Sequence, residues 1–123
     1  MDNWSVRRAI VLALLAVALT TGTTRGPLAV AADAVGEKRL LDNARVMMIE
    51  YVFPAGFKGE EHAAVADEFA YVLDGEFVVV TKGKGKRTLR PGAVEYAAKG
   101  TIHYSLNETG KPSRVLVVLL KGS

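Results

Sequence analysis

From Arg45 to Lys121 the chain never runs far before a turn residue interrupts it, and that punctuation limits the folds open to it. In the first run, RVMMIEYVF at 45–53, Met47, Ile49, Tyr51 and Phe53 alternate with Val46, Met48, Glu50 and Val52, the period of a two-faced β-strand. Pro54-Ala55-Gly56 ends it, because proline cannot donate to a ladder and glycine admits positive φ. Further β-rich runs at 69–73, 76–81, 86–90, 93–97, 102–106 and 114–121 are separated by Asp74-Gly75, the loop 82–85, Pro91-Gly92, Lys99-Gly100 and the loop 107–112. An Asp-Gly pair between two apolar runs predicts a two-residue hairpin. The last run, RVLVVLLK, is nearly all apolar, as expected of a strand covered on both faces. No segment after residue 35 has the period of an amphipathic helix, and there is no internal repeat. The expected class is therefore all-β, a small antiparallel sandwich or barrel.

The first thirty residues have a different character. Arg7 and Arg8 precede the apolar run AIVLALLAVAL at 9–19, which is short for a bilayer span, and Ala29-Val30-Ala31 follows as an A-x-A cleavage signal. That order predicts a signal peptide over 1–31, with the cut falling within 22–34, a leading segment at 32–44 and the barrel at 45–123. A retained N-terminal anchor is the alternative. The flanks of Arg7-Arg8 match a twin-arginine signal poorly, and an ordinary positive n-region accounts for them. The mature chain is expected to be secreted or periplasmic, and clear of the membrane once cut.

Charge matters only after the leader is set aside. From Ala32 onward 13 Lys and Arg face 12 Asp and Glu, so the net charge falls from +3 to about +1, and nucleic acid is not expected as a partner. The basic cluster KGKGKR at 82–87 is spaced by glycines and reads as a solvated loop. The chain has no cysteine, so its core alone must hold it.

Both histidines lie inside a pattern of spaced glycines. Gly56, His62, Ala64, Glu68 and Gly75 fall at the intervals of the first cupin motif, G-x5-H-x-H-x3-E-x6-G, with Ala64 in place of the second histidine. Gly92, Gly100, His103 and Asn107 fall at those of the second, G-x5-P-x-G-x2-H-x3-N, with Ala98 in place of the proline. The chain thus resembles the cupin superfamily over about 47–120. The resemblance implies a small jelly-roll barrel holding one divalent metal. Carried over position by position, its ligands are His62, Glu68 and His103, with a vacancy at Ala64. The motif glycines and Asn107 would shape turns.

The residues themselves agree in part. His62 and residue 64 share a strand face by the period of two, and alanine offers no lone pair there. Two imidazoles and one carboxylate are the set associated with open non-haem iron sites, and they also suit zinc with a water. Iron, manganese, nickel and zinc are not distinguished. Glu60, which shares the face of His62 in a regular strand, is an additional candidate ligand, and Glu61 or Asp67 could fill the same role. A single histidine in a β-protein is more often a hydrogen-bonded core or surface residue, but two at motif spacing with the matching glutamate favour the metal. The competing reading is a barrel that lost its metal with Ala64 and keeps a polar cluster in an apolar cavity.

Tyr96 and Tyr104 are candidate catalytic phenols, although aromatic residues in short strands are usually core. Three functions stay open: a metal-dependent enzyme of dioxygenase, isomerase, decarboxylase or lyase type acting on a small organic molecule, a module that binds a small ligand, with or without metal, and without catalysis, or a structural or partner-binding role. A homodimer through an exposed sheet edge is a further expectation.

Overall fold

The structure, a computed structural model, describes residues 34–122. The leader expected over 1–31 lies outside them. Nine strands form among the described residues: β1 (Gly36–Asp42), β2 (Val46–Phe53), β3 (His62–Ala63), β4 (Asp67–Asp74), β5 (Phe77–Thr81), β6 (Gly85–Leu89), β7 (Val94–Ala97), β8 (Ile102–Leu106) and β9 (Ser113–Leu120). They make a five-stranded sheet in the order β1-β2-β9-β4-β7 and a four-stranded sheet in the order β3-β8-β5-β6, with every pairing antiparallel. The class is all-β, a jelly-roll in which two sheets enclose one core.

The alternation of β2 decides which side is inside. Met47, Ile49, Tyr51 and Phe53 are each no more than 3% exposed, while Val46, Met48, Glu50 and Val52 are half-buried. The same period brings Val72 of β4, Val115 and Leu119 of β9, and Phe77 and Val79 of β5 into one cluster. Its centre is aromatic: Phe53 has ring centroids 5.6 Å from Tyr51, 4.8 Å from Phe57 and 5.0 Å from Phe77.

Two local expectations change. The Asp74-Gly75 pair does not close a hairpin; it carries the chain from β4 in one sheet to β5 in the other. A bulge between Val72 and Asp74 ends regular pairing, and Gly75 then turns at φ +75° so close to the end of β9 that a Cβ would lie 2.8 Å from the Pro112 carbonyl oxygen. The hairpin forms one turn later, between β5 and β6. The apolar β9 is central within its sheet but is covered on one face only. Leu116, Val118 and Leu120 point outward and are half-buried among side chains of their own sheet.

Asn107 closes one end of the sandwich. It is 1% exposed, and its side-chain nitrogen lies 3.2, 3.1 and 2.7 Å from the carbonyl oxygens of Phe53, Pro54 and Lys111. Its Oδ1 accepts from the Thr109 backbone N–H and hydroxyl at 3.1 and 2.8 Å. One amide thus ties the 107–112 loop to the end of β2.

Candidate functional site

A cavity of about 80 Å3 opens between the sheets, with room for several water molecules or a small organic molecule. Its wall is largely apolar: Phe53, Ala70, Phe77, Val79, Ala97 and Val117. Six polar side chains interrupt it: Tyr51, His62, Glu68, Glu95, His103 and Ser105.

The three residues of the spacing pattern converge here, each on its own strand. His62 and His103 are register partners across the β3–β8 ladder, with ring centroids 4.8 Å apart and planes tilted by 56°. Glu68 comes from the facing sheet, where β4 alternation turns it inward with Ala70 and Val72, and its Oε1 lies 3.1 Å from His103 Nε2. That distance is typical of a hydrogen bond but the alignment is not, and both His103 nitrogens are buried without a hydrogen-bond partner. His62 has one role fixed: its Nδ1 lies 2.9 Å from the Glu60 carbonyl oxygen, which can only accept, so Nδ1 donates, and in the neutral ring Nε2 carries the lone pair.

Two imidazoles and a carboxylate are a donor set that suits a divalent metal, and His103 Nε2, buried without a hydrogen-bond partner beside Glu68, is available as a donor atom; Nδ1 lacks the hydrogen bond that usually orients a ligand histidine. The arrangement is looser than a finished site, since among the described residues no three His, Cys, Asp or Glu side chains stand together at metal-holding distance. Ala64 is 3% exposed and continues the ladder beyond β3, donating its N–H to Thr101 O at 2.8 Å and accepting from Gly100 N–H at 2.7 Å. Its methyl group does not line the cavity.

The other expected residues lie elsewhere. Glu60 supplies a backbone carbonyl to His62 while its side chain is exposed. Glu61 is exposed, and Asp67 accepts from the Lys99 backbone N–H at 2.8 Å. Tyr96 is 50% exposed on the outer side of β7, packed against Phe69 at 5.0 Å, and its hydrogen bond to Asp67 holds the phenol above its ordinary pKa. Tyr104 alternates with His103 and Ser105 and so faces away from the cavity.

The phenol inside the cavity is Tyr51. It is 2% exposed and its hydroxyl has no hydrogen-bond partner. Burial pushes its pKa well above the usual tyrosine range; the carboxylates of Glu37 and Glu68 push the same way, against the opposing Arg39. Alternation alone places Tyr51 on the inner face of β2, and a tyrosine there reads as core until the cavity beside it is seen. Glu95 was more legible: β7 puts it on the inner face with Ala97, and a carboxylate on a core face needs a partner. Arg87 is that partner, donating from Nη1 to Glu95 Oε2 at 2.6 Å and to Val94 O at 3.2 Å.

Comparison with known proteins places this geometry in context. A family profile described as "Cupin domain" matches residues 49–119. The chain is similar to the structure of KdgF from Halomonas sp., with 26% identity over 72% of this chain and 80% of that one and a TM-score of 0.65. It is also similar to TT1209 from Thermus thermophilus, with 25% identity, 80% and 90% coverage and a TM-score of 0.65. A cupin superfamily protein from Desulfitobacterium hafniense DCB-2, 21% identical over 80% and 94% of the two chains, shares the fold with a TM-score of 0.67. No curated protein sequence matches the chain.

Proposed function

The chain belongs to the cupin family, and from that premise we propose that it holds one divalent metal ion on His62, Glu68 and His103 and binds a small organic molecule in the adjoining cavity. The observation that carries this reading is His103, an imidazole only 6% exposed with neither nitrogen hydrogen-bonded and a carboxylate oxygen 3.1 Å from Nε2. Burying such a group without partners costs about 1–3 kcal/mol, which a coordinate bond from Nε2 would offset. Glu60 takes part through its carbonyl, which holds the His62 tautomer with Nε2 unprotonated.

When bound, the ion supplies a Lewis acid that polarises an oxygen of the ligand. The chain's own residues do the rest. Phe53, Phe77, Val79 and Val117 exclude water and pack the apolar body of the ligand. The Tyr51 hydroxyl, raised in pKa and unpaired, stays protonated and donates a hydrogen bond to a ligand oxygen near Glu68. Whether a reaction follows depends on the ligand, and the fold family alone does not choose one.

Metal analysis of the purified protein after reconstitution with iron, manganese, nickel or zinc tests the reading. About one equivalent retained by the wild type and lost from His103→Ala supports it; none retained from any of the four would falsify it. A second reading, a metal-free cavity that binds a small ligand through the same polar cluster, is favoured by the looseness of the three side chains. Ligand binding that is unchanged by chelation would select it.

The leader features at 7–31 support export to a secreted or periplasmic location, tested by the N-terminal mass of the exported chain. A homodimer is supported by the outer surface. Leu40, Leu41, Tyr71, Leu73, Val94 and Tyr96, the exposed large apolar side chains among the described residues, all belong to the five-stranded sheet, and β1 leaves one of its edges open. Sedimentation equilibrium tests it.

A further inference from the structure

Among the described residues two side-chain contacts that each involve a cavity carboxylate join the two sheets: Glu68 with His103, and the ion pair of Glu95 with Arg87. The second stands where the edge strands β6 and β7 meet. Arg87 is the register partner of Val79, which lines the cavity and pairs in turn with Ser105, so the three share the inner face of the small sheet in one row. An arginine on the inner face of an edge strand can deter unwanted strand pairing, but that role asks nothing of its geometry.

The geometry here is specific. Nη1 is held on one side by Glu95 Oε2 and Val94 O, and the opposite edge, Nε and Nη2, has no partner among the described residues. The side chain is 58% exposed, whereas that of Glu95 is 17% exposed. A guanidinium anchored by one nitrogen and open along its other edge is a preorganised fork for a carboxylate, which it can grip through two parallel hydrogen bonds. Arg87 itself does not line the cavity; Glu95, which it holds, does, and from there the wall turns apolar at Val79, Ala70 and Phe77.

We propose that the ligand of the cavity is a small organic acid, whose carboxylate binds the free edge of Arg87 beside Glu95 while its apolar body lies against Val79 and Phe77. Glu95 sets the orientation of the fork, and its negative charge weakens the attraction for the acid. The inference rests on the reading of the cavity as a small-molecule site; it does not need the metal.

The test uses matched probes that differ in charge at one group: benzoate with benzamide, and isobutyrate with isobutyramide, each titrated into the purified protein and followed by backbone amide NMR. The acids are expected to bind at least tenfold more tightly than their amides. Arg87→Gln should remove that preference, weakening the acids far more than the amides. Glu95→Gln keeps an acceptor for Nη1 and removes the competing charge, so it should tighten the acids several-fold, an outcome that damage to the fold would not imitate. Acids and amides binding alike to the wild type, or acid binding indifferent to Arg87→Gln, overturns the inference and leaves the cavity reading standing. Binding of none of the four probes contradicts the cavity reading and takes this inference with it.

Discussion

Glu68 and His103 meet across the two sheets, Oε1 to Nε2 at 3.1 Å, in a cavity whose wall is otherwise mostly apolar. Burying the imidazole with neither nitrogen hydrogen-bonded costs stability. His103→Leu removes those polar atoms at similar volume. In the presence of chelator the variant should be as stable as the wild type or more stable by about 1–3 kcal/mol, read from denaturant unfolding. Added zinc should then stabilise the wild type only. A variant that is strongly destabilised in chelator would mean that the imidazole is held by the fold rather than kept for a ligand.

Tyr51 predicts an alkaline limit to stability. Its folded pKa is raised, so the stabilisation it brings is complete below the unfolded tyrosine value of about 10 and is lost as pH rises from there through the folded value. Above about pH 10 the wild type should therefore lose up to about 1.4 kcal/mol per pH unit from this group. Tyr51→Phe should lack that component, and at neutral pH should be no less stable, since its hydroxyl has no partner to lose. Unfolding curves at several alkaline pH values for the two proteins check both statements.

Asn107 makes the opposite case, a buried polar group fully engaged. Asn107→Ala would strip hydrogen-bond donors from the carbonyls of Phe53, Pro54 and Lys111 and the acceptor from Thr109. The expected cost is about 3 kcal/mol, with little change in metal affinity because the residue does not line the cavity. Equilibrium unfolding beside a zinc titration separates the two effects.

Ala64→His restores the family pattern. Residue 64 is 3% exposed within the β3–β8 ladder, so the larger side chain should lower the stability of the metal-free protein by about 1–3 kcal/mol. The methyl group of Ala64 stops short of the cavity, but an imidazole there extends farther on the strand face it shares with His62, so metal retention against a competing chelator should tighten by at least tenfold. Unchanged retention would mean that the strand does not present residue 64 to the ion.

Turn chemistry and strand period made most of the architecture legible in advance. Gly56, Gly75, Gly92 and Gly100 all adopt positive φ, and β2 alternates residue by residue as its side chains require. What local sequence does not carry is which sheet a strand joins. The Asp74-Gly75 turn has the chemistry of a hairpin, yet the crowding of Gly75 against Pro112 and Ser113 and the pairing of β4 with β9 send the chain to the other sheet. The same limit applies to the site. The resemblance to the cupin motifs groups His62, Glu68 and His103, and the structure brings the three to one cavity. An inward tyrosine such as Tyr51 has the sequence pattern of core packing, and the outward direction of Tyr96 and Tyr104 depends on the register of β7 and β8, which local sequence does not carry.

X-ray absorption at the zinc edge tests the metal assignment most directly, on the zinc-loaded wild type and the His103→Ala variant. The wild type should show two imidazole rings and carboxylate oxygen in the first shell, and the variant one ring fewer or no bound zinc. A wild-type spectrum without imidazole scattering, or one unchanged by the substitution, would contradict a centre built on His62, Glu68 and His103.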